Sequence, residues 1–134
     1  MPKKKKTSKG ALVKSFAQNI NAQFLEQHGD TVKLVIGKKS GVYVLTNDDA
    51  PYYIGLASNL PSRLAGHIRD KHAGNWDRFH FFAIGKKKYL KDVETILIRV
   101  ARPPGNRQKG SFGKHRNLRS ILLKEILTSI RREF

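Results

Sequence analysis

A chain of 134 residues is long enough for one compact domain with a core of its own. Its 27 Lys and Arg against 10 Asp and Glu leave a formal net charge of +17; that excess opposes a compact state by self-repulsion unless a polyanion is the partner, so nucleic acid is the first expectation. The lack of cysteine excludes disulfides and thiolate metal sites and fits a reducing, cytoplasmic setting, and no apolar run approaches the ~18 residues of a membrane span, so no membrane partner is expected.

Residues 1–10, opening "MPKKKK", read as a basic flexible tail that adds nonspecific phosphate affinity. No apolar segment follows to make them a signal peptide; a nuclear-import role is the other use of such a run. Residues 11–134 read as a single domain. Leu12, Phe16, Ile20 and Phe24 recur every four residues and predict a helix over 11–28, with Gly29 able to end it. In "TVKLVI", residues 31–36, Val32, Leu34 and Ile36 alternate and predict a strand. "GKKSG" is a turn, "VYVLT" (42–46) a strand, "NDDAP" a turn and "YYIGLA" (52–57) a further strand. Ser58 can cap a helix running to about His72, with Pro61 in its first turn and Gly74 as its end. "RFHFFAI" (78–84) is apolar on both faces and predicts a central strand. After "GKKK" a helix covers 89–101 and must stop before "PPG" at 103–105. Residues 106–114 are a polar loop, and a last helix covers 116–132 with Leu118, Ile121, Leu122, Ile126 and Ile130 facing inward.

Several polar residues fall where a core would not place them. On a helical wheel Glu94 lies between Leu90, Ala101 and Ile98, with Leu97 one turn on. A carboxylate within such an apolar stripe is costly unless paired, hydrogen-bonded or on a metal; an ion pair with one of the many cations and a hard cation such as Mg²⁺ are equally good accounts. Arg63 and His67 lie on adjacent turns of one helix face. Gly66 between them costs ~1 kcal/mol against Ala and invites the idea that a backbone or ligand comes close. Tyr43 and Tyr53 sit in adjoining strands of a hairpin and share a face if they are on one rung. Asn106 follows Pro-Pro-Gly, where a turn residue is ordinary. His28, His72, His80 and His115 show no metal-ligand spacing and read as structural or surface residues.

Taken in order, "GVY", "YIG" ten residues on, "SNLPSRLAGH", Glu94 within a helix and then Asn106 resemble the GIY-YIG nuclease family. The resemblance covers residues 41 to about 106. Its functional positions are all filled, and Val42 for the usual Ile is a conservative core change. It implies an α+β fold: a small antiparallel sheet of three strands, with 31–36 a candidate for a fourth, flanked by helices and presenting one catalytic face. It implies a metal-dependent endonuclease acting on DNA with Mg²⁺ or Mn²⁺. Tyr43 would be the general base or a group orienting water, and Tyr53 a phosphate or water ligand. Arg63 would stabilise the scissile phosphate, and His67 would assist Tyr43 or contact the phosphate. Glu94 would hold the metal, and Asn106 would fix the site and touch the nucleic-acid backbone.

The chemistry asks for such a set: an activated nucleophile, stabilisation of charge at phosphorus and help for the leaving 3′-oxygen. Tyrosine, with a pKa of ~10, is a poor base at neutral pH, so Arg63, the metal and nearby lysines would have to lower it. Lys86, Lys87 and Lys88 of "GKKK", with Arg107, Lys109, Lys114 and Arg116 of "RQKGSFGKHR", would flank the cleft and hold the backbone electrostatically. Phe112 in that loop either stacks on a base or packs beneath the loop. Substrates open to such an enzyme are duplex or branched DNA, with RNA also open. A homodimer would let it cut both strands, and dependence on a partner protein is the other expectation. The family spans restriction, homing, excision repair and branched-structure cleavage, and homing is disfavoured because no separate recognition domain fits within 134 residues. The rival expectation is a basic nucleic-acid-binding module on the same fold without turnover.

Overall fold

The computed structural model describes residues 10–108, 110–112 and 116–133. Four strands, β1 (Val13–Asn21), β2 (Gly41–Asn47), β3 (Ala50–Ala57) and β4 (Arg78–Ile84), form one antiparallel sheet in the order β1-β4-β2-β3. Five α-helices accompany it among the described residues: α1 (Gln23–Gln27), α2 (Gly29–Val35), α3 (Leu60–His67), α4 (Leu90–Ala101) and α5 (Arg119–Glu133). The α+β class and the interior position of "RFHFFAI" match the sequence-based expectation. β2 and β3 meet in a tight hairpin whose corner residues, Asp48 and Asp49, have φ of 50° and 65°. Two consecutive left-handed residues give the turn a twist that suits paired strands, and Asp tolerates that conformation.

The fourth strand comes from a different segment than expected. Residues 13–21 are a strand, where the four-residue periodicity predicts a helix. Phe16 pairs opposite Phe82 and Ile20 opposite Phe79, with a register shift between Ala17 and Ile20 and Asn19 at a φ of 58°. The shift turns the two apolar residues to opposite faces. Phe16 stacks on Phe82, ring centroids 6.3 Å apart, while Ile20 packs into the cluster that contains Phe79. Residues 31–35 are helical with Ile36 as the C-cap, where alternation predicts a strand. Val32 and Ile36, one turn apart, pack inward, and Leu34 is 84% exposed.

Two apolar layers sandwich the sheet. On one side Tyr43, Leu45, Phe79 and Phe81 pack with Leu60, Leu64 and Trp76 beneath α1, α2 and α3. On the other, Val42, Ile54 and Ile84 pack with Ile98 of α4. Strand alternation sends Val42 and Tyr43 into different layers. The cap of α3 is Asn59, not Ser58: its Oδ1 accepts the Ser62 N–H at 3.3 Å. The helix stops at His67 rather than His72, and Gly74, at a φ of 77°, belongs to the following turn. α5 is a helix as expected, but none of its residues is buried; Leu118, Ile121, Leu122, Ile126 and Ile130 are exposed rather than inside. No helix among the described residues is long and apolar enough to cross a membrane.

Candidate active site

Tyr43 stands near the middle of β2 with its ring fully buried. Across the ladder it faces Gly55 of β3, where an added Cβ would lie 2.6 Å from the Tyr43 Cζ and hydroxyl oxygen. Only glycine leaves room for the phenol. Tyr53 is not on the same rung, since its partner is Leu45, but Tyr43 and Leu45 share a face. The two tyrosine rings therefore lie side by side, centroids 6.0 Å apart. His67, the last residue of α3, brings its ring to both: its Nε2 is 2.7 Å from the Tyr43 hydroxyl oxygen, and its centroid is 5.3 Å from that of Tyr53.

After His67 the chain tightens. The Arg69 and Asp70 amides both donate to the Gly66 carbonyl, at 3.0 and 2.9 Å. Asp70 is thereby curled back, and its Oδ2 lies 2.9 Å from His67 Nδ1. Its Oδ1 accepts the His72 N–H at 2.8 Å. The His72 ring, buried beside Tyr53, places Nδ1 2.9 Å from the Tyr52 hydroxyl. Gly66 is not a point of close approach, since a Cβ there would meet nothing within 4 Å.

The protonation states follow from these surroundings. Burial pushes Tyr43 well above the ordinary tyrosine value, the neighbouring Tyr53 adds to that, and the Arg63 guanidinium pulls it down without prevailing. Desolvation thus opposes the lowering that Arg63, the metal and nearby lysines would have to supply. Burial acts to raise Asp70 as well, but the His72 amide and the His67 ring hold its carboxyl below the usual range. Burial lowers His72, with Asp70 opposing.

Tyr53, His67, Asp70 and His72 wall an open cleft of ≈ 520 Å³ that also takes in Arg63, Lys71, Lys91, Glu94, Asn106 and Arg107. Glu94 projects from α4 with its side chain 14% exposed, and Lys91 Nζ is 3.5 Å from its Oε1. Arg63 is exposed on α3, one turn before His67. Asn106 acts as an extra rung on the sheet edge: its Oδ1 accepts the Ile54 N–H and its Nδ2 donates to the Ile54 carbonyl, both at 2.8 Å. Gly105 N–H donates to the Tyr52 carbonyl at 2.7 Å, fixing the same loop. The structure thus gathers Tyr53, Arg63, His67, Glu94 and Asn106 around one cleft with Tyr43 directly behind it.

A family model, the GIY-YIG catalytic domain, matches residues 39–109. The chain belongs to the GIY-YIG family. It carries the nuclease domain of that family and is an endonuclease, a phosphodiester hydrolase. Among solved structures it is similar to the GIY-YIG N-terminal endonuclease domain of UvrC from Thermotoga maritima bound to magnesium as its catalytic divalent cation, with 24% identity over 59% of this chain and 97% of that one and a TM-score of 0.48. A tyrosine point mutant of the same domain, also with its catalytic divalent cation, is 26% identical over 53% of this chain and 86% of that one, with a TM-score of 0.47. Curated protein sequences give no match.

Around this GIY-YIG core the basic residues divide. Lys71, Lys91 and Arg107 line the cleft. Lys87 lies with Arg63 and Asn59 along an adjoining groove, Lys86, Lys88 and Arg116 are exposed away from the cleft lining, and Lys109 and Lys114 lie outside the described residues. Phe112 is half-buried, with the Arg99 guanidinium carbon 5.1 Å from its ring centroid. Sequence reasoning passed over Asp70, Lys71 and Lys91. The readable signal for Asp70 is its place three residues after His67, a spacing that brings side chains together on a helical turn. His72, read as structural or surface, is buried in the cleft wall.

Proposed function

We propose that this GIY-YIG endonuclease cuts DNA by attack of water on phosphorus, with a divalent cation, Mg²⁺ or Mn²⁺, held by Glu94. The observation that carries this reading is Glu94, a largely buried carboxylate facing Tyr53, Arg63 and His67 across a basic cleft. The donor set fits a hard cation, which takes oxygen ligands and typically only one or two protein carboxylates, the rest coming from water and phosphate. Lys91 lies at the outer limit of an ion pair and is itself mostly exposed, so it leaves the carboxylate available. When bound, the ion supplies Lewis-acid stabilisation of charge on the phosphate and the departing oxygen.

The chain's own residues perform the rest. Arg63 grips the non-bridging oxygens with its planar fork. Tyr53 holds water or phosphate from the cleft wall. Tyr43 is disfavoured as a free phenolate, because burial raises its pKa. It serves as a relay: the attacking water gives a proton to the Tyr43 oxygen while Tyr43 passes its own to His67 Nε2 across 2.7 Å. The water oxygen bonds to phosphorus, the bond to the 3′-oxygen breaks, and that oxygen takes a proton from solvent. Asn106 keeps the loop beside the cleft on the edge of β3. Lys71, Lys91 and Arg107, with the lysines at 86–88, hold the DNA backbone.

Nicking of supercoiled plasmid tests this reading. Mg²⁺ should support nicking, and Glu94→Gln should abolish turnover while DNA affinity stays within a few-fold. Full activity in excess EDTA would refute the metal role, and binding without any cleavage would favour the non-catalytic module.

A further inference from the structure

We propose that Asp70 is a positioning residue of this site: it locks His67 in the tautomer whose bare Nε2 accepts the Tyr43 proton. The inference rests on the reading of Tyr43 and His67 as the proton relay and adds a group that the family pattern in this sequence does not include. The geometry carries it. An ionised carboxylate can only accept hydrogen bonds, so the 2.9 Å contact between Asp70 Oδ2 and His67 Nδ1 requires the hydrogen on Nδ1. In a neutral ring the other nitrogen is then bare, and the Tyr43 hydroxyl, 2.7 Å away, must be the donor. The three side chains thus form a directional chain from Tyr43 through His67 to Asp70.

Asp70 is itself held in place. Its second oxygen accepts the His72 amide at 2.8 Å, and its own amide is tied to the Gly66 carbonyl at 2.9 Å. The His67 ring is fixed between Tyr43, Tyr53 and His72, with centroids 5.7, 5.3 and 5.2 Å away, and its carbonyl accepts the Trp76 indole N–H at 3.3 Å. A ring clamped in this way changes function by changing tautomer rather than by swinging out. Once the Tyr43 proton reaches Nε2, the imidazolium has the Asp70 carboxylate as its adjacent counter-charge. Without that carboxylate the new cation would face Arg63 and Lys71 of its own segment, with Glu94 only across the cleft.

Asp70→Asn is the discriminating change, because an Asn amide can donate to Nδ1 and hold the ring in the opposite tautomer. The expected kcat loss is on the order of 10²-fold or more, the scale of a proton-transfer contribution, with DNA affinity and melting midpoint near those of the native protein. Asp70→Glu, which keeps an acceptor, should recover part of the rate. Nitrogen-15 spectra of the His67 ring give a readout that needs no turnover: Nδ1 protonated in the native protein, Nε2 protonated in Asp70→Asn. A native ring protonated at Nε2, or an Asp70→Asn enzyme with native kcat, would overturn the proposal. So would an Asp70→Asn protein that loses Mg²⁺ affinity as Glu94→Gln does, since Asp70 would then be a ligand. If the native protein cleaves no nucleic acid, the functional reading fails, while the ring tautomer still decides the role of Asp70.

Discussion

At the scale of single residues the site depends on a side chain that is missing. Gly55 faces Tyr43, and a methyl group there would sit 2.6 Å from the phenol carbon and oxygen. The ring lies in a packed layer with Leu45, Phe79 and Phe81, so it can move only at their expense. Gly55→Ala should cost on the order of 1–3 kcal/mol in stability through overpacking and about 10²-fold or more in rate, since displacement of a reacting group by ~1 Å is enough for that loss. Plasmid nicking and thermal unfolding on the same preparation check both. The buried hydroxyl also has a pH signature. Burial raises the Tyr43 pKa above its ordinary value of 10.0, so above about pH 10 the unfolded chain gives up this proton while the folded chain keeps it. The unfolded state then binds fewer protons, and stability falls with rising pH. The contribution is fully present below pH 10 and is lost as pH rises through the folded-state value. Denaturant midpoints should therefore drop more steeply as pH rises above about 10 for the native protein than for Tyr43→Phe; equal slopes would place the hydroxyl in water.

At the scale of elements two segments exchanged character, and the exchange has a test. In residues 31–36 a strand reading puts Val32, Leu34 and Ile36 on one face, whereas the helix and its C-cap turn Val32 and Ile36 toward the core and leave Leu34 at 84% exposure. Leu34→Asp should thus change stability by no more than about 0.5 kcal/mol, while Ile36→Ala should cost about 2 kcal/mol or more. Similar losses from both would restore the strand. The reason the sequence misled is physical. Val32 and Ile36 satisfy both a period of two and a helical turn, so Leu34 alone could decide, and its environment is tertiary. β1 is harder still: Phe16 and Ile20 are four apart, but a bulge between them sends them to opposite faces, which only pairing with β4 reveals. The hairpin of β2 and β3, the interior strand β4 and the end of α4 before Pro103 were legible, because turn residues and continuous apolar runs act locally. Tyr43, Tyr53, Arg63, His67, Glu94 and Asn106 were legible through their spacing, and the structure brings all six to one place. Asp70 was not, because it depends on how the chain tightens after α3.

At the scale of the whole molecule the question is which cations act on the substrate. The cleft carries Arg63, Lys71, Lys91 and Arg107 against Asp70 and Glu94. If each of the four cations neutralises a phosphate of duplex DNA, the log of affinity should fall against log salt with a slope of about 3.6, from ~0.9 per contact. Residues 1–9 contribute Lys3, Lys4, Lys5, Lys6 and Lys9, so the full chain should show a steeper slope than that. A chain lacking residues 1–9 should bind more weakly and show a shallower slope than the full chain while still cutting. α5 makes the useful control. It carries Arg119, Lys124, Arg131 and Arg132 against Glu125 and Glu133, yet buries no residue and faces solvent with its leucines and isoleucines. A helix that adds nothing to either apolar layer can be removed at little thermodynamic cost. Truncation after Arg116 should keep ΔG within about 0.5 kcal/mol, a shift in melting midpoint of no more than about 4 °C for a domain of this size. A larger fall would mean that α5 packs on the sheet in solution. A native midpoint together with a shallower salt slope would mean that its arginines reach the phosphate backbone rather than the core.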